Sequence, residues 1–150
     1  MFFTSILYCI FVNFLLTGRQ GDGFPDERTV PSSDKVDMSK KGTKFCPVQK
    51  IEEKGNNIFD QLNAQKFLID FNDDEFINKF VDLYCELNYL HPFRKGNGRI
   101  QRLFLLMLLN NMDKHINFED IDTDLLMIAT IKSVSGDIFM IKDIFREHIK

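Results

Sequence analysis

Between Asp73 and Leu90 the apolar residues Phe76, Phe80, Leu83, Leu87 and Leu90 recur at steps of three and four, the period of one face of an α-helix. Asp73 and Asp74 stand at its start, where acidic side chains meet the positive end of the helix dipole. Such a stripe has to be buried against partners, and the rest of the chain supplies them in the same form. Residues 56–67 carry Ile58, Phe59, Leu62 and Phe67. Residues 99–112 contain Leu103-Phe-Leu-Leu-Met-Leu-Leu109, apolar around the whole circumference, which predicts a helix buried on every side at the centre of a bundle. Asn117, with Asp120 three residues later, predicts the cap of a helix reaching about Lys132. After Gly136, residues 137–149 predict a last helix with Phe139, Ile141, Ile144 and Phe145 facing inward. The expected fold is mainly α, a helical bundle.

A chain of 150 residues builds one core and one domain. With 44% hydrophobic and 27% charged residues it reads as an ordinary globular protein. A net charge of −3 argues against a nucleic-acid partner, because binding the phosphate backbone requires a basic surface. Cys9, Cys46 and Cys85 are odd in number and lack metal-ligand spacing, so neither a disulfide framework nor a protein metal site is expected, and Cys85 reads as a core thiol on a helix. Residues 2–16 are almost continuously apolar, broken by Thr4, Ser5 and Asn13. The run is shorter than the roughly 20 residues a spanning helix needs, and no Lys or Arg precedes it. It reads as a signal peptide, as a membrane anchor, or as the remnant of a first core helix, with a misassigned start as a further option. A membrane association is expected only if this run anchors the chain, and both a cytoplasmic protein and a secreted effector remain open. The expected division is a hydrophobic segment over 1–17 and one domain over 18–150. Residues 17–44 are polar and punctuated by Gly18, Gly21, Gly23, Pro25, Pro31 and Gly42, a loop with two strand pieces, Arg28-Thr-Val30 and Thr43-Lys-Phe-Cys46.

The chemistry concentrates between the two clearest helices. Pro92 ends the first, since the residue before a proline is pushed out of helical geometry. Gly96-Asn97-Gly98 then supplies flexible backbone just before the next helix starts, where unpaired N–H groups and the helix dipole attract anions. Arg99 and Arg102, three apart, share one face beside that nest, and their guanidinium groups suit the outer phosphates of a triphosphate. His91 stands at the opposite lip, where a neutral imidazole takes a proton from an incoming hydroxyl. Phe93, between polar neighbours, reads as the anchor of the loop. Each feature alone has an ordinary structural explanation; a histidine after a helix usually caps it, and an Arg pair usually faces solvent. Their convergence on one loop is what points to a site.

The stretch His91-Pro-Phe-Arg-Lys-Gly-Asn-Gly-Arg-Ile-Gln-Arg102 resembles the signature of Fic domains, His-Pro-Phe-x-(Asp/Glu)-Gly-Asn-Gly-Arg-x-x-Arg. Lys41-Gly-Thr-Lys-Phe-Cys46 is similar to the β-hairpin flap that precedes the core in that family. The resemblance implies a Fic-type helical bundle with a short β-hairpin flap, which transfers AMP from ATP to a hydroxyl side chain of a target protein, with magnesium. It implies His91 as general base, Gly96, Asn97 and Gly98 as the cradle of the α- and β-phosphates, and Arg99 and Arg102 on the phosphates that leave. The flap, residues 28–46, would take an extended target segment by strand addition. Two departures stand out. The acidic position that helps to hold magnesium is Lys95 here, an ammonium that repels the metal and is expected to touch the phosphates itself. The family's flap also follows helices with a Trp, and this chain has no Trp. No Ser/Thr-x-x-x-Glu-Gly/Asn stretch of the self-inhibitory type occurs. The alternatives are a catalytically weak Fic-fold module that binds protein, or a Fic transferase of another group such as a phosphoryl or phosphocholine.

Overall fold

The computed structural model describes residues 39–40, 43–93 and 96–150. The run 2–16, the strand piece Arg28-Thr-Val30 and Lys95 lie outside these residues. Two short strands, Ser39–Lys40 (β1) and Thr43–Lys44 (β2), pair antiparallel with Ser39 opposite Lys44 and Lys40 opposite Thr43. A 3-10 turn, Val48–Lys50, leads into helix α1, Ile51–Ala64. The helices α2, Asp73–Leu90, α3, Asn97–Asn110, α4, Thr123–Val134, and α5, Phe139–His148, complete a mainly helical domain.

Helix α2 is the centre, packing against α1, α3, α4 and α5. Its stripe behaves as its spacing predicts: Phe76, Phe80, Leu83, Leu87 and Leu90 are all buried, and Phe80 meets Phe76 and Phe145 ring to ring at 5.7 and 5.1 Å. Asn72 caps it by accepting from the Glu75 N–H at 3.0 Å, and Asp73, Asp74 and Glu75 fill its first turn. Burying each Phe ring of this stripe stabilises the fold by roughly 1.5–3 kcal/mol.

The centre was expected at residues 99–112, and this is corrected. Helix α3 buries one face only, Gln101, Phe104, Leu105, Leu108 and Leu109, while Leu103 is 55% exposed and Ile100, Leu106 and Met107 are half-buried. It packs on α2 from one side, because α2 alone has neighbours all round. Helix α1 starts at Ile51 rather than 56, running through Gly55, and ends at Ala64 rather than 67. There the backbone turns left-handed at Lys66, Phe67 and Leu68 (φ 49°, 54° and 66°), which buries Leu68 and leaves Phe67 half-buried. Asn117 caps a 3-10 turn, Phe118–Asp120, and Asp122 caps α4 by accepting from the Leu125 N–H at 2.8 Å, so that helix starts five residues later than expected. In α5, Ile141, Ile144 and Phe145 are buried as expected, but Phe139 is 76% exposed because it sits in the first turn, before the helix packs.

Cys85 is half-buried on α2; burial pushes its thiol up, partly offset by a hydrogen bond with Ser133. Among the described residues no helix is long and apolar enough to cross a membrane.

Candidate functional site

The loop from His91 to Gly96 turns the chain from α2 into α3. His91 closes α2 in the left-handed conformation (φ 38°, ψ 53°), its N–H donating to the Leu87 carbonyl at 3.3 Å. A left-handed cap is the usual way to stop a helix, and a non-glycine residue there is held by its surroundings. Those surroundings are visible. The Phe45 ring, just after β2, stacks on the imidazole with centroids 3.7 Å apart and planes 10° from parallel. The next residue, Cys46, is buried and donates its N–H to the Tyr89 carbonyl at 2.9 Å, one of the last carbonyls of α2. The Nδ1 atom of His91 is buried.

On the far side the loop is tied by Asn97. Its Oδ1 accepts from the Phe93 N–H at 2.9 Å and its Nδ2 donates to the Phe93 carbonyl, so one side chain holds both polar groups of that peptide residue. Phe93 is half-buried. Gly96 then takes φ 87°, a backbone that L side chains avoid, and caps α3, whose Ile100 N–H reaches the Gly96 carbonyl at 3.1 Å. The first turn of α3 holds no acidic residue, so no carboxylate of its own competes for its unpaired N–H groups.

The two arginines fold back over this turn. A Cβ placed on Gly96 would lie 3.7 Å from Arg99 Nη2, and one placed on Gly98 would lie 3.4 Å from Arg102 Nη1. The guanidinium of Arg99 therefore hangs over Gly96 and that of Arg102 over Gly98. Arg99 is exposed, whereas Arg102 is half-buried. Arg102 also lies within electrostatic reach of Tyr84, whose hydroxyl is pushed up by burial and drawn back by its bond with Thr130 Oγ1 (2.9 Å) and by the Arg102 charge. Between the arginines, buried Gln101 donates to the Tyr84 carbonyl at 2.8 Å and pins α3 to α2 where the site begins.

The structure thus gathers Gly96, Asn97, Gly98, Arg99 and Arg102 at one helix N-terminus and sets His91 at the end of the preceding helix. Lys95 lies outside the described residues. Phe45 and Gln101 escaped the sequence reading. Phe45 is 46 positions from its ring partner, and no periodicity joins them; Gln101 gave one weak signal, a polar residue at a position of the buried α3 stripe. Among the described residues no group of three or more His, Cys, Asp or Glu side chains is placed to hold a metal ion. A separate groove of about 310 Å³, lined by Ile58, Leu62, Asp82, Cys85, Glu86 and Ile138 among others, takes none of its walls from the loop.

Known proteins resemble this chain in sequence and in fold. The family model of the Fic/DOC family matches residues 9–109. The "Probable protein adenylyltransferase Fic" of Salmonella typhimurium is 30% identical over 114 residues, 76% of this chain and 57% of that protein. Its namesake in Escherichia coli is 30% identical over 110 residues, 73% of this chain and 55% of that protein. The chain spans little more than half the length of these relatives. Among solved structures, BepC of Bartonella tribocorum, a VirB-translocated effector with bound AMPPNP, superposes with a TM-score of 0.72 at 27% identity, covering 76% of this chain and 56% of that one. The N-terminal Fic domain of a VirB-translocated Bep effector of Bartonella quintana, with bound ADP, gives 0.73 at 27% identity, covering 76% and 55%. Sequence motif, helical architecture and all three comparisons agree: the chain belongs to the Fic/DOC family.

Proposed function

We propose that this chain transfers AMP from ATP to a hydroxyl side chain of a target protein. The observation that carries the reading is the pair of guanidinium groups folded over Gly96 and Gly98 at an acid-free helix N-terminus, one loop away from His91. Backbone N–H groups of the Gly96-Asn97-Gly98 turn and the helix dipole hold the α- and β-phosphates, and Arg99 and Arg102 neutralise the charge that grows on the leaving pyrophosphate. With Nδ1 of His91 buried, Nε2 is the nitrogen that meets the target hydroxyl. It takes the hydroxyl proton as the oxygen attacks the α-phosphorus, and the bond from that phosphorus to the α,β-bridging oxygen breaks as pyrophosphate departs. The relatives' names and the AMPPNP and ADP in the two neighbours support ATP as the donor.

The target enters as a strand. Ser39–Lys40 and Thr43–Lys44 form the end of a flap, residues 28–46, whose edge adds an extended target segment and lays its hydroxyl beside His91. Lys95 supplies positive charge where the family has an acid, and it makes transfer slow.

Incubation of the protein with a cell lysate and ATP labelled at the α- or the γ-phosphate tests this. Label from the α-phosphate retained on protein is expected. Label from the γ-phosphate instead would make the chain a phosphoryl transferase, and no label from either would leave a protein-binding module or a transferase of another group.

A further inference from the structure

We infer that Phe45 is a positioning residue for His91: its ring holds the imidazole in the orientation in which it works as a base. The role of His91 rests on the transferase reading above; the hold itself rests on geometry alone. Three observations meet here. The rings are 3.7 Å apart and 10° from parallel, so the phenyl face covers one face of the imidazole, whose Nδ1 is itself buried. The phenyl ring is itself anchored, because the adjacent Cys46 is buried and its N–H is bonded at 2.9 Å to Tyr89, two residues before His91. And His91 has a left-handed backbone at a helix end, a place where a side chain without a packing partner would sample several rotamers.

The consequence is a mechanical link between the flap and the base. Phe45 directly follows β2, the strand proposed to receive the target, so the segment that docks the acceptor also aims the group that deprotonates it. Neither ring donates or accepts a proton from the other; the contact works by orientation. A base misaimed by about 1 Å costs on the order of a hundredfold in rate while nucleotide binding stays as it was.

The test uses Phe45→Leu, which keeps apolar bulk without a flat face, and Phe45→Tyr, which keeps the face. The first readout is the NMR shift of the His91 ring protons. In the parent and in Phe45→Tyr they are expected upfield, shielded by the stacked ring; in Phe45→Leu that shielding disappears. The second is the initial rate of α-phosphate labelling of a fixed lysate, against ATP concentration. Phe45→Leu is expected to lower the maximal rate about tenfold to a hundredfold with the apparent KM for ATP unchanged, and Phe45→Tyr to restore it. Imidazole shifts that do not respond to Phe45→Leu overturn the proposal, as does a Phe45→Leu protein that labels as fast as the parent or faster. A thermal unfolding midpoint for each variant separates loss of fold from loss of aim. A parent protein that labels nothing sinks the transferase reading, and the ring shifts then decide the Phe45 inference by themselves.

Discussion

At the scale of single residues, the candidate chemistry divides between a group needed only while a proton moves and groups needed whenever phosphate is bound. His91→Ala should therefore lower α-phosphate labelling by about 10²–10⁴-fold while leaving ATP affinity, measured by calorimetry, and the unfolding midpoint where they were. Full labelling by that variant would remove His91 from the mechanism. Arg102 makes a different prediction. Its guanidinium hangs over Gly98, and if it holds the outer phosphates then Arg102→Ala weakens ATP more than AMP, which lacks them. Equal losses for the two nucleotides would put Arg102 elsewhere. Lys95 is the residue by which the motif departs from its family. Lys95→Glu should raise labelling in magnesium above the parent and weaken ATP binding once a chelator removes the metal. If neither quantity moves, position 95 is not at the phosphates.

The elements show how a six-residue loop is held at both ends. Helix α2 stops at a left-handed His91, helix α3 starts at a left-handed Gly96, and the Asn97 side chain bridges back to both polar groups of Phe93. Asn97 was expected to cradle phosphate together with the glycines. Its side chain is spent on the loop, and its backbone N–H is what faces the helix end. Replacing it by Ala should loosen the loop and cost roughly 1–3 kcal/mol of stability, since the Phe93 groups lose their partners. Asn97→Asp keeps the acceptor for the Phe93 N–H and gives up the donor, so its unfolding midpoint should fall between parent and Ala, while the carboxylate it brings to the helix start should weaken ATP binding. An Asn97→Ala protein as stable as the parent would show that the turn holds without this bridge.

For the whole molecule, stability and site are carried by different parts. Phe80 is fully buried in the helix that packs against the four other α-helices, so Phe80→Ala should cost about 3–5 kcal/mol, read from denaturant unfolding. Arg146 pairs with Asp74 at 2.9 Å between the last helix and the start of α2, yet both side chains are about half exposed or more. Arg146→Ala should cost under about 1 kcal/mol, because water screens an exposed pair. A loss as large as that of Phe80→Ala would mean that the ends of the bundle depend on ion pairs rather than on packing.

Much of this was legible in the chain itself. The step of three and four from Phe76 to Leu90 placed α2 and its buried face, since helical periodicity is a local property written in neighbouring residues. The loop motif was equally local, so its glycines and arginines could be read together at one helix start. What the sequence left open depends on contacts between distant residues. Leu103 to Leu109 reads as apolar all round, but only the position of α2 decided that α3 buries one face and exposes Leu103. Phe139 looks like a core residue and ends at the surface because its turn precedes the packing. Phe45 shows the same physics at the site: a ring 46 residues away meets His91 only because Cys46 is fastened to the end of α2, and no pattern along the chain encodes that meeting.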